Sequence, residues 1–130
     1  LNGFLSNLED SAARLFYDEL QNGRLMTTKC ERCALVFFPP RITCPDCLGG
    51  EIKWVQLSGK GTLYAFTQQH QSLAFRKPTV VGIVELDDAR GRIFSIIDVA
   101  WEEARIGMRL KVDFFDSPFG FKMHKFLPEE

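Results

Sequence analysis

The chain has 130 residues, 45% of them hydrophobic, with 16 lysines and arginines against 17 aspartates and glutamates. That length holds one ordinary core, or a small core beside a metal-stapled module. Its balanced charge argues against a protein devoted to neutralising phosphate backbones, and no apolar run approaches the roughly 20 residues of a membrane-spanning helix.

The first unit spans residues 1–24. Ser6 followed by Glu9 fits a capping box, in which each side chain satisfies an orphan backbone donor at a helix start. Leu8, Ala12, Leu15, Phe16 and Leu20 then recur at helical spacing, with Glu9, Asp10, Arg14, Asp18 and Glu19 on the other face. Gly23 stands where a helix C-cap belongs. The apolar face of this helix needs a surface, either its own domain or a partner subunit.

Residues 25–57 form the second unit. Leu25 to Lys29 reads as a short strand leading into Cys30-Glu31-Arg32-Cys33. Ten residues later comes Cys44-Pro45-Asp46-Cys47, and these pairs hold all four cysteines of the chain. Two Cys-x-x-Cys knuckles supply the four sulfurs that structural zinc takes in a closed tetrahedral site. No secretory signal opens the sequence, so a cytoplasmic location is expected, and there a metal site is the better reading than a disulfide framework. A redox dithiol pair and a rubredoxin-like iron site are the competing readings, since four thiolates accept iron as well. Between the knuckles, Val36-Phe37-Phe38 is apolar and Pro39-Pro40-Arg41 is stiff, because prolines cannot continue a ladder. Pro45 suits a tight turn. After the turn at Gly49-Gly50, Ile52, Trp54 and Gln56 alternate with Lys53, Val55 and Leu57. Strands flanking both knuckles make a zinc ribbon.

From Ser58 to the end the pattern is that of a small β-barrel. Ser58-Gly59-Lys60-Gly61 is a turn, Thr62 to about Leu73 a long strand, and Phe75-Arg76-Lys77-Pro78 a loop. Thr79 to Leu86 is the second strand, Asp87-Asp88-Ala89-Arg90-Gly91 a hairpin turn, and Arg92 to Val99 the third strand. Trp101 to Arg105 suits a short helix stopped by Gly107. Met108, Leu110, Val112 and Phe114 alternate with Arg109, Lys111, Asp113 and Phe115, giving a fourth strand with one buried face. Asp116 to Gly120 turns the chain into a fifth strand, Phe121 to Leu127. Five strands with a helix between the third and fourth match the Greek-key barrel of the OB-fold. The expected fold is therefore mainly β: an N-terminal helix, a zinc ribbon over 25–57, and a five-stranded OB-fold barrel over 58–130.

No catalytic residue is assigned. With all four cysteines on a metal, no thiol remains as nucleophile, and a closed four-thiolate site has no position for an activated water. His70 in the first barrel strand and His124 in the last could reach one another, but lone strand histidines read as structural. Asp87-Asp88 and Glu102-Glu103 read as solvated charge. No Gly-rich phosphate loop opens a helix.

The order of parts carries a resemblance. A short helix, then GRLMTTKCERCALVFFPPRITCPDC, then a barrel carrying PTVVGIVELDD and IGMRLKVDFF, resembles the DUF35 family from about Phe16 onward. The resemblance implies a rubredoxin-like zinc ribbon joined to an OB-fold. It also implies a role in acyl-CoA metabolism, as a small non-catalytic subunit beside a thiolase-fold enzyme such as a thiolase, aldolase or acyltransferase. One departure is local: many relatives carry a glycine soon after the first cysteine pair, where this chain has Ala34-Leu35.

On that implied role, CoA phosphates need cations and the acyl part needs an apolar slot. Arg41, after the rigid prolines, is the first candidate; Arg76 and Lys77 are second, Lys53 and Lys60 third. Phe37, Phe38 and Trp54 line an apolar slot or form the ribbon's own core, with Phe38 taken as the acyl-CoA contact. Phe114, Phe121 and Phe126 are expected to fill or cap the barrel, and Phe119, in a turn between Pro118 and Gly120, to meet a partner. The alternative is a single-stranded nucleic-acid-binding module. Against it, residues 58–130 carry ten basic and ten acidic side chains, whereas such binders line a positive groove with stacking aromatics.

Overall fold

The computed structural model describes residues 12–70 and 78–129. Helix α1 spans Ala12–Gln21 and buries Phe16 and Leu20, four residues apart on one face. It ends as the glycine predicts. Gly23 has φ +74°, its N–H bonds the carbonyl of Leu20 at 3.0 Å, and the Arg24 N–H reaches back to Glu19 at 3.0 Å. This is a Schellman closure, and the Arg24–Glu19 ion pair at 3.2 Å links the same two residues through their side chains. The helix lies on its own chain, its buried face joining the barrel core. Gln21 takes both backbone groups of Lys122, donating to its carbonyl and accepting from its N–H at 3.2 and 2.8 Å. The expected capping box at Ser6 and Glu9, with Leu8, lies outside the described residues.

The ribbon is a three-stranded antiparallel sheet in the order β2-β1-β3, with β1 Met26–Cys30, β2 Val36–Phe37 and β3 Ile52–Gln56. Its interior is small: Cys30, Phe37 and Cys44 are buried, with Leu35 and Ile52 packed against them.

The second sheet closes into a barrel in the order β4-β5-β6-β8-β7, from β4 Lys60–Gln69, β5 Thr79–Leu86, β6 Arg92–Ile97, β7 Arg109–Asp116 and β8 Lys122–Pro128. Every pairing is antiparallel except β6 with β8. Inward positions alternate along each strand, so that Leu63, Val84, Ile97, Leu110 and Phe126 form its centre. Phe114 packs against that core from a half-buried position, while Phe121 lies at a surface groove.

Three expected elements are shorter than their sequence patterns. β4 ends at Gln69, leaving His70 exposed outside the strand, and the remainder of the expected strand to Leu73 lies outside the described residues. β6 stops at Ile97, after which the Asp98 N–H turns to the carbonyl of Phe126 at 2.7 Å. The helix expected over 101–105 is one 3-10 turn, Trp101–Glu103. Among the described residues no helix is long and apolar enough to cross a membrane.

Candidate metal centre and its junction with the barrel

The two knuckles fold alike. In the first, the Cys30 N–H bonds Leu35 O and the Ala34 N–H returns to Cys30 O, both at 2.9 Å; in the second, Cys44 bonds Gly49 O at 2.9 Å and Leu48 returns to Cys44 O at 3.0 Å. Each loop closes through a residue in the left-handed region, Ala34 at φ +61° and Leu48 at φ +60°. That conformation suits glycine, and neither knuckle has one there.

These turns bring the four sulfurs together, with all ligand atoms within 4.8 Å of one another. Cys30 and Cys47 Sγ are 3.5 Å apart, as are Cys33 and Cys44. Four sulfurs at the usual metal distance of about 2.3 Å stand roughly 3.8 Å from each other, so the set fits a tetrahedral ion. Cys30 and Cys44 are buried, whereas Cys33 and Cys47 face outward.

The electrostatics have the same origin. Backbone N–H groups point into the cluster. The Cys47 N–H, set against burial and helped by that of Asp46, brings Cys44 down to about 7. For Cys33 the Leu35 N–H is the largest single influence and lowers the pKa, but neighbouring thiols Cys44 and Cys30, with burial, outweigh it and raise the group to about 11. Cys47 is raised by the same competition, the Gly49 N–H opposed by Cys30, burial and Cys44. Four thiols in one space resist shared ionisation until a cation compensates them, which is how metal binding couples to proton release.

The centre is tied to the barrel by the β5–β6 hairpin. Phe37 and Arg90 form an isolated parallel bridge. The Phe38 N–H donates to Arg90 O at 3.0 Å, and the Arg90 N–H donates to Val36 O at 2.8 Å. The Arg90 guanidinium takes both carboxylate oxygens of Asp46, inside the second knuckle, at 3.2 and 2.7 Å. That pairing holds Asp46 below the ordinary carboxylate range. Gly91, at φ +146°, lies so close that a Cβ there would stand 2.1 Å from Phe38 O.

Asp87 and Asp88 are exposed, as expected of solvated charge, and both also have partners. Asp87 pairs with Arg109, which keeps its pKa low, and Asp88 accepts the Ser58 N–H at 2.8 Å. Both tie the hairpin to chain that is distant in sequence.

The other expected site residues scatter around this junction. Arg41 is exposed; its backbone N–H donates to Thr28 Oγ1 at 3.0 Å. Phe38 is half-buried, edge-on to Phe16 at 5.7 Å between centroids, and lines a cleft of about 540 Å³ with Leu86, Ala89 and Gly91. Phe37 belongs to the ribbon core and Trp54 packs against the barrel core. Lys53 stands opposite Lys29 across the ribbon, and Lys60 pairs with Glu129 at 3.5 Å. Arg76 and Lys77 lie outside the described residues. Phe119 is 53% exposed on its turn.

The structure does not pair the histidines. His124 is buried with Ser95 Oγ 2.7 Å from its Nδ1, and burial lowers its pKa to about 4. Sequence reasoning missed Arg90, Gly91, Ser95 and Gln21 as organising residues. Only Gly91 carried a local signal, and that signal marked a turn.

A ribbon of this geometry on a closed five-stranded barrel defines the class. Residues 18–53 match the family described as ChsH2, rubredoxin-like zinc ribbon domain, and residues 54–115 match ChsH2, C-terminal OB-fold domain. A DUF35 domain-containing scaffold protein of Methanothermobacter thermautotrophicus is 33% identical over 101 residues, covering 72% of this chain and 74% of that one. The chain belongs to the DUF35 family. A benzoylsuccinyl-CoA thiolase subunit, BbsA, of Thauera aromatica is 34% identical over 73 residues, 55% of this chain and 50% of the relative. Among solved structures, the Ltp2-ChsH2(DUF35) aldolase aligns over 88% of this chain and 91% of its own, at 26% identity and a TM-score of 0.80.

Proposed function

We propose that this chain is a non-catalytic accessory subunit, stapled by a structural zinc ion on Cys30, Cys33, Cys44 and Cys47, that joins a thiolase-superfamily enzyme and helps bind its acyl-CoA. The observation that carries this reading is a four-thiol cluster that would close around its ion, wired through Arg90, Asp46 and Gly91 into a barrel. A closed site of this kind supplies shape and leaves no open position for substrate. Similarity to a thiolase subunit and to the DUF35 component of an aldolase supports the choice of partner. In the division proposed, residues 1–24, 25–57 and 58–130 are the helical, ribbon and barrel units, working in the cytoplasm.

Arg41 is the phosphate contact proposed first, as an exposed cation without an ion pair to a described residue. In the barrel, Lys60, Arg90, Arg92, Arg109, Lys122 and Lys125 each hold a carboxylate. On the ribbon, Lys29, Arg32, Arg41 and Lys53 form no ion pair with any described residue. In the barrel, Arg105 and Lys111 are likewise exposed without an ion pair to a described residue, so what singles out the ribbon cations is Phe38, three residues before Arg41, for the apolar part. Arg76 and Lys77 are the second pair of contacts proposed. The same distribution weighs against nucleic-acid binding: Tyr64 and Phe94 are exposed, but the Arg92 guanidinium that covers Tyr64 is already paired with Glu85.

Co-purification from the native source tests the reading. A stoichiometric thiolase-fold partner, with turnover that needs both chains, is expected. Robust acyl-CoA turnover by this chain alone would sink it. The metal itself is settled by elemental analysis: zinc and a colourless protein are expected, while a red protein absorbing in the visible would establish iron.

A further inference from the structure

One edge of the chain from Arg90 to Ile97 is paired at both ends and open between them. The Leu86 N–H bonds Gly91 O at 3.4 Å, and hydrogen-bonded pairs alternate along the β5–β6 register from there. Ile93 and Ser95 therefore turn their backbone groups to β5, while Arg90, Arg92, Phe94 and Ile96 turn theirs to the opposite edge. On that edge Arg90 pairs with the 36–38 segment, and Ile96 pairs with Lys125 of β8. Arg92 and Phe94 belong to neither ladder, and no described side chain bonds their backbone. Across the opening, β8 is already provided for: Gln21 takes both backbone groups of Lys122, and Ser95 Oγ reaches the His124 carbonyl at 3.2 Å. The sequence explains the break. A 36–38 strand carried further along this edge would bring Pro40 to Arg92, and proline has no N–H to give.

Two apolar grooves of about 280 Å³ each flank the open stretch and share Phe94, whose ring is 66% exposed. One runs between Phe16 of α1 and the Phe38-Pro39-Pro40 segment. The other is walled by Ile96, Phe115, Phe119 and Met123. No Asp, Glu, Lys or Arg side chain lines either groove. Beside them, Arg92 and Glu85 neutralise one another at 3.2 Å.

We propose that this opening receives an extended segment of a partner polypeptide, which adds a short strand at Arg92 and Phe94 and sets apolar side chains into the flanking grooves. Arg92 and Phe94 each offer one backbone donor and one acceptor, at a spacing that another backbone matches. The chain uses this mode itself one step away, where the 36–38 segment docks on Arg90, so the added strand continues the junction between ribbon and barrel. Uncharged walls select apolar side chains at alternate positions of the segment, and the neutral Arg92–Glu85 rim asks for no net charge. The inference rests on the accessory reading only in requiring a partner chain.

The zinc-loaded full chain is titrated with a capped peptide of about six residues, an ordinary strand length, alternating leucine and threonine. Two further versions are N-methylated at alternate sets of backbone amides. Saturable binding that protects the Arg92 and Phe94 amides from exchange is expected. Only one methylated version should bind more weakly, by about three- to tenfold for each bond lost, since a strand turns alternate amides to its neighbour. Phe94→Pro removes an amide without touching the bonds to β5, as an edge position allows, and should abolish binding while zinc stays stoichiometric. If that variant fails to fold, Phe94→Ala keeps the amide and should retain the contrast between the methylated peptides at lower affinity. In the complex co-purified from the native source, exchange at Arg92 and Phe94 should be slower than in the free chain. Equal affinity for both methylated peptides, or amides at Arg92 and Phe94 left unprotected by the peptide or in the complex, would overturn the proposal. So would self-association that protects the same amides, since a second copy would then be the occupant. Absence of a thiolase-fold protein among the co-purified partners would strike the accessory reading and leave the peptide result standing.

Discussion

Gly91→Ala attacks the junction at its tightest point. A methyl group there would stand 2.1 Å from Phe38 O and 2.9 Å from the Phe38 carbonyl carbon, both backbone atoms that no rotamer change can move. Relief requires the hairpin to withdraw from the 36–38 segment. That withdrawal breaks the bonds between Arg90 N–H and Val36 O and between Phe38 N–H and Arg90 O, each worth about 1 kcal/mol net. A side chain at φ +146° adds backbone strain of about 1–3 kcal/mol. The expected loss is about 3–5 kcal/mol, which at roughly 4 °C per kcal/mol lowers Tm by about 12–20 °C. Thermal unfolding of the zinc-loaded protein measures the loss, and amide exchange at Phe38 and Arg90 localises it. A variant that melts within about 2 °C of the parent and keeps both amides protected would refute this account of the junction.

Other substitutions and conditions probe separate links. Cys44→Ser, or removal of metal by a chelator, should unfold the ribbon and abolish partner binding, read by zinc stoichiometry and by loss of the β1–β3 amide resonances. Ala34→Gly should stabilise the protein by about 0.5–1 kcal/mol in denaturant unfolding, because relief of about 1–2 kcal/mol in the left-handed region exceeds glycine's extra unfolded-state freedom. His124 stays neutral when folded but protonates near 6.5 when unfolded. Its contribution therefore turns against the fold as pH drops from 6.5 to about 4, by about 3 kcal/mol in all; His124→Gln should flatten that part of the stability–pH curve, and an unchanged slope would show that other groups set it.

What could be read from the sequence was whatever a short stretch of chain decides by itself. Cysteine spacing announced the knuckles because two ligands on one turn must be near neighbours. Strand alternation announced the barrel because Met108 to Phe115 can bury only one face. Gly23 announced the Schellman closure because the left-handed C′ position favours glycine. The equivalence of the two knuckles stayed hidden, since Ala34 and Leu48 occupy the positions where glycine would have signalled them. The junction was also hidden. Arg90 and Asp46 are 44 residues apart and Gln21 and Lys122 are 101 apart, and such partners are chosen by register and closure of the sheet. The Ser95–His124 contact arises the same way, from a parallel pairing that no local pattern encodes.

The ribbon's composition explains why a metal should govern contacts well outside its own shell. Of its three buried core residues, two are cysteines and only Phe37 is an ordinary apolar side chain. Burying one phenylalanine, with Leu35 and Ile52 half-buried against it, yields only a few kcal/mol, about 2–3 for the ring itself. A structural zinc ion contributes about 10–16 kcal/mol in small domains, so metal binding is the larger part of what orders the knuckles. The barrel contributes as well, because Arg90 and Gly91 hold β2 and the second knuckle from outside. Ordering then runs both ways: the ion fixes the strand that receives Arg90, and the hairpin fixes the knuckle that receives the ion. Coupling of this kind holds the 36–41 segment between ribbon and barrel, which the proposed accessory role requires.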